Sequence, residues 1–189
     1  YWTEGRPEES GRSALVTLDQ SRQNSTILPE PWNIRTRVHE YGGLSFNVSK
    51  QGIIFSHFSD QRLYLFDPDQ GGEPKAITKD NGDRFGAPSA DSSRGGWVAV
   101  REVMEKGMEE PLNELARVTP DGQVSSIVSG ADFYADPVVS PDGQELAWIE
   151  WDHPYMPWDS ARLMVGDLDE SGEVVSVSYT HLRAHETRY

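Results

Sequence analysis

The chain has 189 residues, with 17 Lys and Arg against 31 Asp and Glu, a net charge of −14, and no cysteine. Such a negative balance argues against nucleic-acid binding, which needs clustered cations, and zero cysteines exclude a disulfide framework, a thiolate metal site and a cysteine nucleophile. Six Trp, seven Tyr and six Phe are too much aromatic surface for a disordered acidic tail. No apolar run approaches the roughly 20 residues of a membrane helix.

The start at Tyr1-Trp2-Thr3-Glu4, without an initiator Met or a signal sequence, predicts a piece of a longer protein. Seventeen Gly and twelve Pro are spread along the chain, where they suit turns better than helix interiors. Turn signals recur at Pro68-Asp69-Gln70-Gly71-Gly72, Asn81-Gly82, Pro120-Asp121-Gly122, Pro141-Asp142-Gly143 and Glu170-Ser171-Gly172. Runs of four to seven residues rich in Val, Ile, Leu and aromatics lie between them. The expectation is an all-β chain.

The strands repeat. Leu15-Val16-Thr17-Leu18-Asp19, Leu63-Tyr64-Leu65-Phe66-Asp67, Leu115-Ala116-Arg117-Val118-Thr119 and Leu163-Met164-Val165-Gly166-Asp167 begin at leucines 48, 52 and 48 residues apart. A second series precedes it: Ile53-Ile54-Phe55, Trp97-Val98-Ala99-Val100 and Leu146-Ala147-Trp148-Ile149, with Trp2-Thr3-Glu4 as an earlier copy. Pro88 and Pro137 keep the same spacing. A unit of about 40–50 residues holding four short strands is the size of a propeller blade. The second-series runs are apolar at consecutive positions, as expected where sheets cover both faces, and this disfavours a simple sandwich.

The reading is therefore a partial β-propeller of three to four four-stranded blades over residues 1–176, with blades at roughly 1–41, 42–86, 87–135 and 136–176. The last thirteen residues, 177–189, contain no Gly or Pro and break the repeat. They resemble translated adapter sequence and are read as a foreign, disordered tail. His181 and His185 have metal-ligand spacing on a helix but lack a third ligand, so no metal and no cofactor are expected.

Among chemistry-bearing strings, no Gly-x-Ser-x-Gly elbow, phosphate loop or dinucleotide fingerprint occurs. The Asp-rich strings at Asp67-Pro68-Asp69 and Asp80-Asn81-Gly82-Asp83 lack the ligand spacing of a calcium loop and read as turns. Two segments stand out. One is Arg35-Thr36-Arg37-Val38-His39-Glu40-Tyr41-Gly42-Gly43. The other is Trp151-Asp152-His153-Pro154-Tyr155-Met156-Pro157-Trp158-Asp159, an aromatic loop stiffened by two prolines. His39, Glu40, Tyr41, Trp151, Asp152, His153 and Trp158 are the candidates for a domain interface or functional loop. Packing beneath a loop that covers one end of the propeller is the alternative for Trp151 and Trp158.

These two strings, with Phe58-Ser59-Asp60-Gln61-Arg62-Leu63-Tyr64 and Ser140-Pro141-Asp142-Gly143, resemble the N-terminal propeller of prolyl-oligopeptidase-family serine peptidases, of the dipeptidyl- or acylaminoacyl-peptidase kind. The resemblance implies a propeller that gates a following α/β-hydrolase domain, which supplies Ser, Asp and His and acts on short peptides. No catalytic residue carries over to this chain, which is expected to be inert alone. Some family members hold a substrate's α-amino group with propeller glutamates, and Arg101, Glu102, Glu109 and Glu110 are the candidates here; a solvated loop is the plainer reading of Glu102, Glu105, Glu109 and Glu110. The competing expectation is a noncatalytic, Tol-associated scaffold, and a propeller glycosidase or lactonase would need a convergent acidic or metal site that the sequence does not offer. A cytoplasmic setting fits the missing cysteines, with the periplasm as the other option.

Overall fold

The computed structural model describes residues 1–104, 107–108 and 110–183. Fifteen strands form four antiparallel sheets, and no α-helix occurs among the described residues. The first sheet is β1 (Trp2–Arg6), β2 (Arg12–Leu18) and β3 (Asn24–Thr26). The second holds β4 (Phe46–Ser49), β5 (Gly52–Ser56), β6 (Leu63–Phe66) and β7 (Lys75–Ala76). The third holds β8 (Arg84–Ala90), β9 (Trp97–Val103), β10 (Leu112–Val118) and β11 (Val124–Ser129). The fourth holds β12 (Phe133–Val139), β13 (Glu145–Trp151), β14 (Ser160–Leu168) and β15 (Val174–Arg183). Strands follow one another in each sheet in chain order, the meander of a propeller blade.

The repeat in the sequence maps onto equivalent places. Leu63, Leu115 and Leu163 all lie on the third strand of a four-stranded sheet. Leu15 lies on the strand that corresponds to it in the three-stranded sheet, where β1 takes the place of a second strand. The consecutive apolar positions have the expected cause. Ile53 and Phe55 of β5 pack with Leu15 and Leu28 of the first unit, whereas Ile54 between them packs with Phe85 and Trp97 of the third sheet. Strand β9 divides in the same way: Trp97 and Ala99 face the second sheet, and Val98 and Val100 face Tyr134, Leu146 and Trp148 of the fourth. Successive residues of a strand point to opposite faces, so a strand between two sheets must be apolar on both. Three cores thus separate four sheets.

The leucine series exposes one asymmetry. Leu15, Leu63 and Leu115 are fully buried, each in the core shared with the next sheet, whereas Leu163 is 37 % exposed. Among the described residues no sheet covers that face of the fourth.

Glycine marks a second repeated constraint. Gly52 and Gly96 each open a second-strand run at positive φ, +118° and +83°. A Cβ at either would lie 2.4 Å from a third-strand carbonyl oxygen, that of Phe66 or Val118. No side chain fits there.

Residues 177–183, expected to lie outside the fold, differ from that expectation: they continue β15, and Val177 to Arg183 pair with Gly166 back to Ser160 of β14. The physical reason is local. Val174-Val175-Ser176-Val177-Ser178-Tyr179-Thr180 is rich in residues that suit a pleated surface, and β14 offers an edge to pair with. The remaining residues, 184–189, including His185, lie outside the described ones.

Candidate functional site

The segment between the first two sheets carries the His-Glu-Tyr-Gly-Gly string from the core of those sheets to that of the third and fourth. Ile34 packs in the core of the first two sheets, the Thr36 hydroxyl donates to the Phe85 carbonyl at 2.7 Å, and Val38 enters the core of the third and fourth. A tight turn follows, in which Glu40 N–H donates to the Arg37 carbonyl and Gly42 N–H to that of Val38. His39 and Glu40 sit at φ +58° and +62°, a conformation with a steric cost for any residue bearing a Cβ. Gly42 is required as glycine: its φ is +84°, and a Cβ would lie 2.9 Å from the Thr36 carbonyl oxygen.

Several contacts hold this strained turn. His39 N–H donates to Glu102 Oε1 at 2.6 Å, and Arg84 bridges Glu102 and Glu40. The His39 ring packs edge-on against Phe133 and Trp151, with Tyr41 beside it. Burial pushes the imidazole down to about 4, against a hydrogen bond with the backbone of Tyr134. The ring is therefore neutral near pH 7, and its buried Nε2 has no hydrogen-bond partner among the described residues. Burial also pushes the Glu102 carboxyl upward, opposed by the His39 N–H and the Arg84 charge.

Two cavities meet at His39. The first, of 630 Å³, is walled by Tyr41, Leu44, Ile149, Trp151, Pro157 and Trp158, with Ala87 and Asp136 on its strand side. The second, of 660 Å³, is bordered by Glu40, Glu102, Glu110, Glu114, Asp132, Phe133 and His153. Volumes of this size suit small ligands.

Of the residues singled out from the sequence, His39, Tyr41, Trp151 and Trp158 gather at the first cavity, and His39, Glu40, Glu102, Glu110 and His153 at the second. Trp151 is buried, while Trp158 is 64 % exposed at the rim. Asp152 sits behind them, accepting from Arg162 at 2.6 Å and from Asp132 N–H at 3.0 Å. Arg101 is elsewhere. Its neighbour on β9, Glu102, faces the turn, so Arg101 points away and pairs with Asp83 at 2.6 Å and Glu114 at 2.8 Å. Glu105 and Glu109 lie outside the described residues. Among the described residues no cluster of His, Asp and Glu could hold a metal ion.

Sequence reasoning missed Arg84, Asp136 and Phe133. Arg84 was invisible because its partners Glu40 and Glu102 are remote in sequence. Asp136 had a signal in the repeated prolines: Ala87 precedes Pro88 and Asp136 precedes Pro137, at φ +46° and +47°. Both occupy bulges, where β8 slips between Gly86 and Ser89 and β12 between Ala135 and Val138.

This architecture is that of a partial β-propeller with a pocket built at one end of its blades, and the comparisons supply the family. Across 95 % of this chain, a puromycin-hydrolysing peptidase of Mycobacterium tuberculosis superposes with a TM-score of 0.81 at 31 % identity. A puromycin hydrolase superposes with a TM-score of 0.83 at 32 % identity over 94 % of the chain, and a variant complexed with PGG with a TM-score of 0.84. The chain thus belongs with the propellers of prolyl-oligopeptidase-family peptidases, and it spans about 30 % of the length of those neighbours. TolB from Acinetobacter baumannii shares the fold, with a TM-score of 0.55 at 16 % identity. No protein-family model matches the chain, and no curated protein matches it. No described helix is long and apolar enough to cross a membrane.

Proposed function

We propose that this propeller gates and filters substrate for a serine peptidase that cleaves short peptides. Its partner in that reading is an α/β-hydrolase domain of the same polypeptide, which supplies the nucleophile, base and oxyanion hole. The observation that carries the reading is the assembly of His39, Tyr41, Trp151 and Trp158 around one cavity, in a chain 31–32 % identical to peptidases described as hydrolysing puromycin. Two strings more than a hundred residues apart meet there, which a propeller serving only as a scaffold would not need. In this reading the propeller restricts access to short peptides and holds the bound substrate away from bulk water. We read a bacterial, cytoplasmic setting, in keeping with the cysteine-free sequence. The Tol-associated reading rests on likeness of fold alone.

The test is hydrolysis of puromycin and of an aminoacyl amide by the natural polypeptide that carries this propeller, with a fluorophosphonate as inhibitor. Turnover that the fluorophosphonate abolishes, together with resistance of folded protein substrates, is the expected result. Absence of inhibitor-sensitive turnover overturns the peptidase assignment, and equal cleavage of folded proteins overturns the gate.

A further inference from the structure

Residues 39–43 form a wall common to both cavities. His39 borders the two, Glu40 the second, and Tyr41, Gly42 and Gly43 the first. Glu40 and Tyr41 are also exposed to solvent. The chain is fastened on either side of this turn. Ile34 and Val38 are buried in separate cores, the Arg37 N–H donates to Gln61 Oε1 at 2.6 Å, and the Leu44 carbonyl accepts from the Ala87 N–H at 2.6 Å. The turn is thus a short strap anchored at both ends, with Gly42 and Gly43 before the second anchor, where glycine absorbs a change of backbone angle at low cost.

Between the anchors the strap is held to the sheets by the His39 N–H on Glu102, by Glu40 on Arg84, and by the His39 ring. The ring supplies the apolar contact, its centroid 5.7 Å from that of Phe133 and 5.2 Å from that of Trp151. One ring nitrogen bonds the Tyr134 backbone, and the buried Nε2 has no partner among the described residues. In neutral imidazole Nε2 is an acceptor left unmet. In imidazolium it is a charged donor, and a buried charged donor with no acceptor is far costlier.

The charges around the ring do not offset that cost, because they are already engaged. Glu102 of β9 pairs with Arg84 of β8, and Glu40 with Arg84 and Arg37. Glu150 and Asp152, flanking Trp151, pair with Arg162. Across the second cavity, Glu114 pairs with Arg101 and Asp132 accepts from the His153 N–H, while Glu110 and His153 also border that space.

We propose that residues 39–43 are an acid-released strap: a proton on the His39 ring frees the turn from Phe133 and Trp151 and opens both cavities to solvent, and its loss closes them. This device goes beyond the peptidase reading and does not depend on it. The sign follows from burial. The ring titrates at about 4 when packed and at 6.5 when free, so the open strap binds more protons between those values and closure is favoured most above pH 6.5. From pH 7.5 to pH 5 the opening constant should rise about 25-fold on this account. Glu102 opposes the rise, because burial pushes its carboxyl upward in the closed state. Glu102→Gln keeps an acceptor for the His39 N–H and removes that opposition.

The measurement is hydrogen exchange at the His39, Glu40 and Gly42 amides of the 189-residue chain, corrected for the intrinsic pH dependence of exchange. The Val98 and Val100 amides of β9 report global unfolding. In Glu102→Gln the turn's opening constant should be about 25-fold larger at pH 5 than at pH 7.5, with a smaller rise in the wild type. At both pH values the turn amides should exchange at least about tenfold faster than those of β9, as expected of a local opening. Adding His39→Asn, which does not titrate and accepts left-handed backbone, should give a fast turn with one opening constant at both pH values. The wild-type ring, followed by nuclear magnetic resonance, should titrate near 4. A ring that titrates at 6.5 or above overturns the proposal. So does an opening constant in Glu102→Gln that ignores pH, a rise that survives His39→Asn, or turn amides that exchange only in step with β9. Fluorophosphonate-sensitive puromycin turnover by the natural polypeptide, alongside a turn that ignores pH, would remove the strap and leave the peptidase reading standing.

Discussion

The backbone N–H of His39 donates to Glu102 Oε1 at 2.6 Å, joining residues 63 apart in sequence. The bond ties the turn between the first and second sheets to the second strand of the third, and Arg84 closes the arrangement by reaching Glu40 and Glu102 together. The strained φ values of His39 and Glu40 are held by these contacts. Removing the acceptor should therefore loosen the turn first. For Glu102→Ala, hydrogen exchange at His39 and Gly42 should accelerate by at least tenfold, and global stability should fall by about 1–3 kcal/mol, the penalty for leaving a buried donor unmet. Unchanged exchange would show that the turn holds itself.

The same pair predicts a pH dependence with opposed parts. His39 titrates near 6.5 when unfolded and about 4 when folded, so the unfolded state binds more protons between those values. Stability from His39 is complete above pH 6.5 and is lost as pH falls toward 4. Glu102 is raised above 4.5 in the folded state, so its contribution runs the other way and declines as pH rises past 4.5. Urea midpoints between pH 4 and 7.5 should fall toward acid. His39→Asn, which keeps the backbone conformation accessible, should flatten the decline above pH 5, and Glu102→Gln should steepen it.

The leucines make a matched pair of core mutations. Leu115→Ala removes a fully buried side chain facing the fourth sheet and should cost about 3 kcal/mol. Leu163→Ala, at the equivalent place on an open face and 37 % exposed, should cost about 1 kcal/mol or less. Equal losses in chemical denaturation would mean that the fourth sheet is covered in solution.

Gly96 and Gly71 separate sterics from backbone preference. Both have positive φ, but a Cβ on Gly71 meets nothing within 4 Å, and one on Gly96 meets the Val118 carbonyl oxygen at 2.4 Å. Gly71→Ala should cost about 1 kcal/mol, the price of left-handed backbone alone. Gly96→Ala should cost more than twice that, read as a shift in thermal midpoint, because the third strand must move.

Arg101 pairs with Asp83 and Glu114 and lines neither His39 cavity. Arg101→Met should lower stability by about 2 kcal/mol, since Asp83 stays buried without its partner. It should leave puromycin hydrolysis by the natural polypeptide unchanged. A loss of turnover with stability intact would give Arg101 a role at the pocket.

The sequence by itself determined the blade. A period near fifty, Gly and Asp at turns, and consecutive apolar residues on second strands follow from local conformation and from the need to cover both faces of a sheet, and those constraints act within each unit. It also marked the two strings that build the site, because crowded aromatics and prolines are visible without coordinates. Only the tertiary structure decided that His39 meets Trp151, that Glu102 turns toward the pocket while Arg101 turns away, and that Asp136 stands at a bulge beside it. Alternation along β9 fixes that Arg101 and Glu102 diverge, but which of them faces the pocket depends on where the third sheet sits against the 34–44 segment. Residues 177–183 belong to the same class: their break in the repeat was plain, yet pairing depends on the edge that β14 presents.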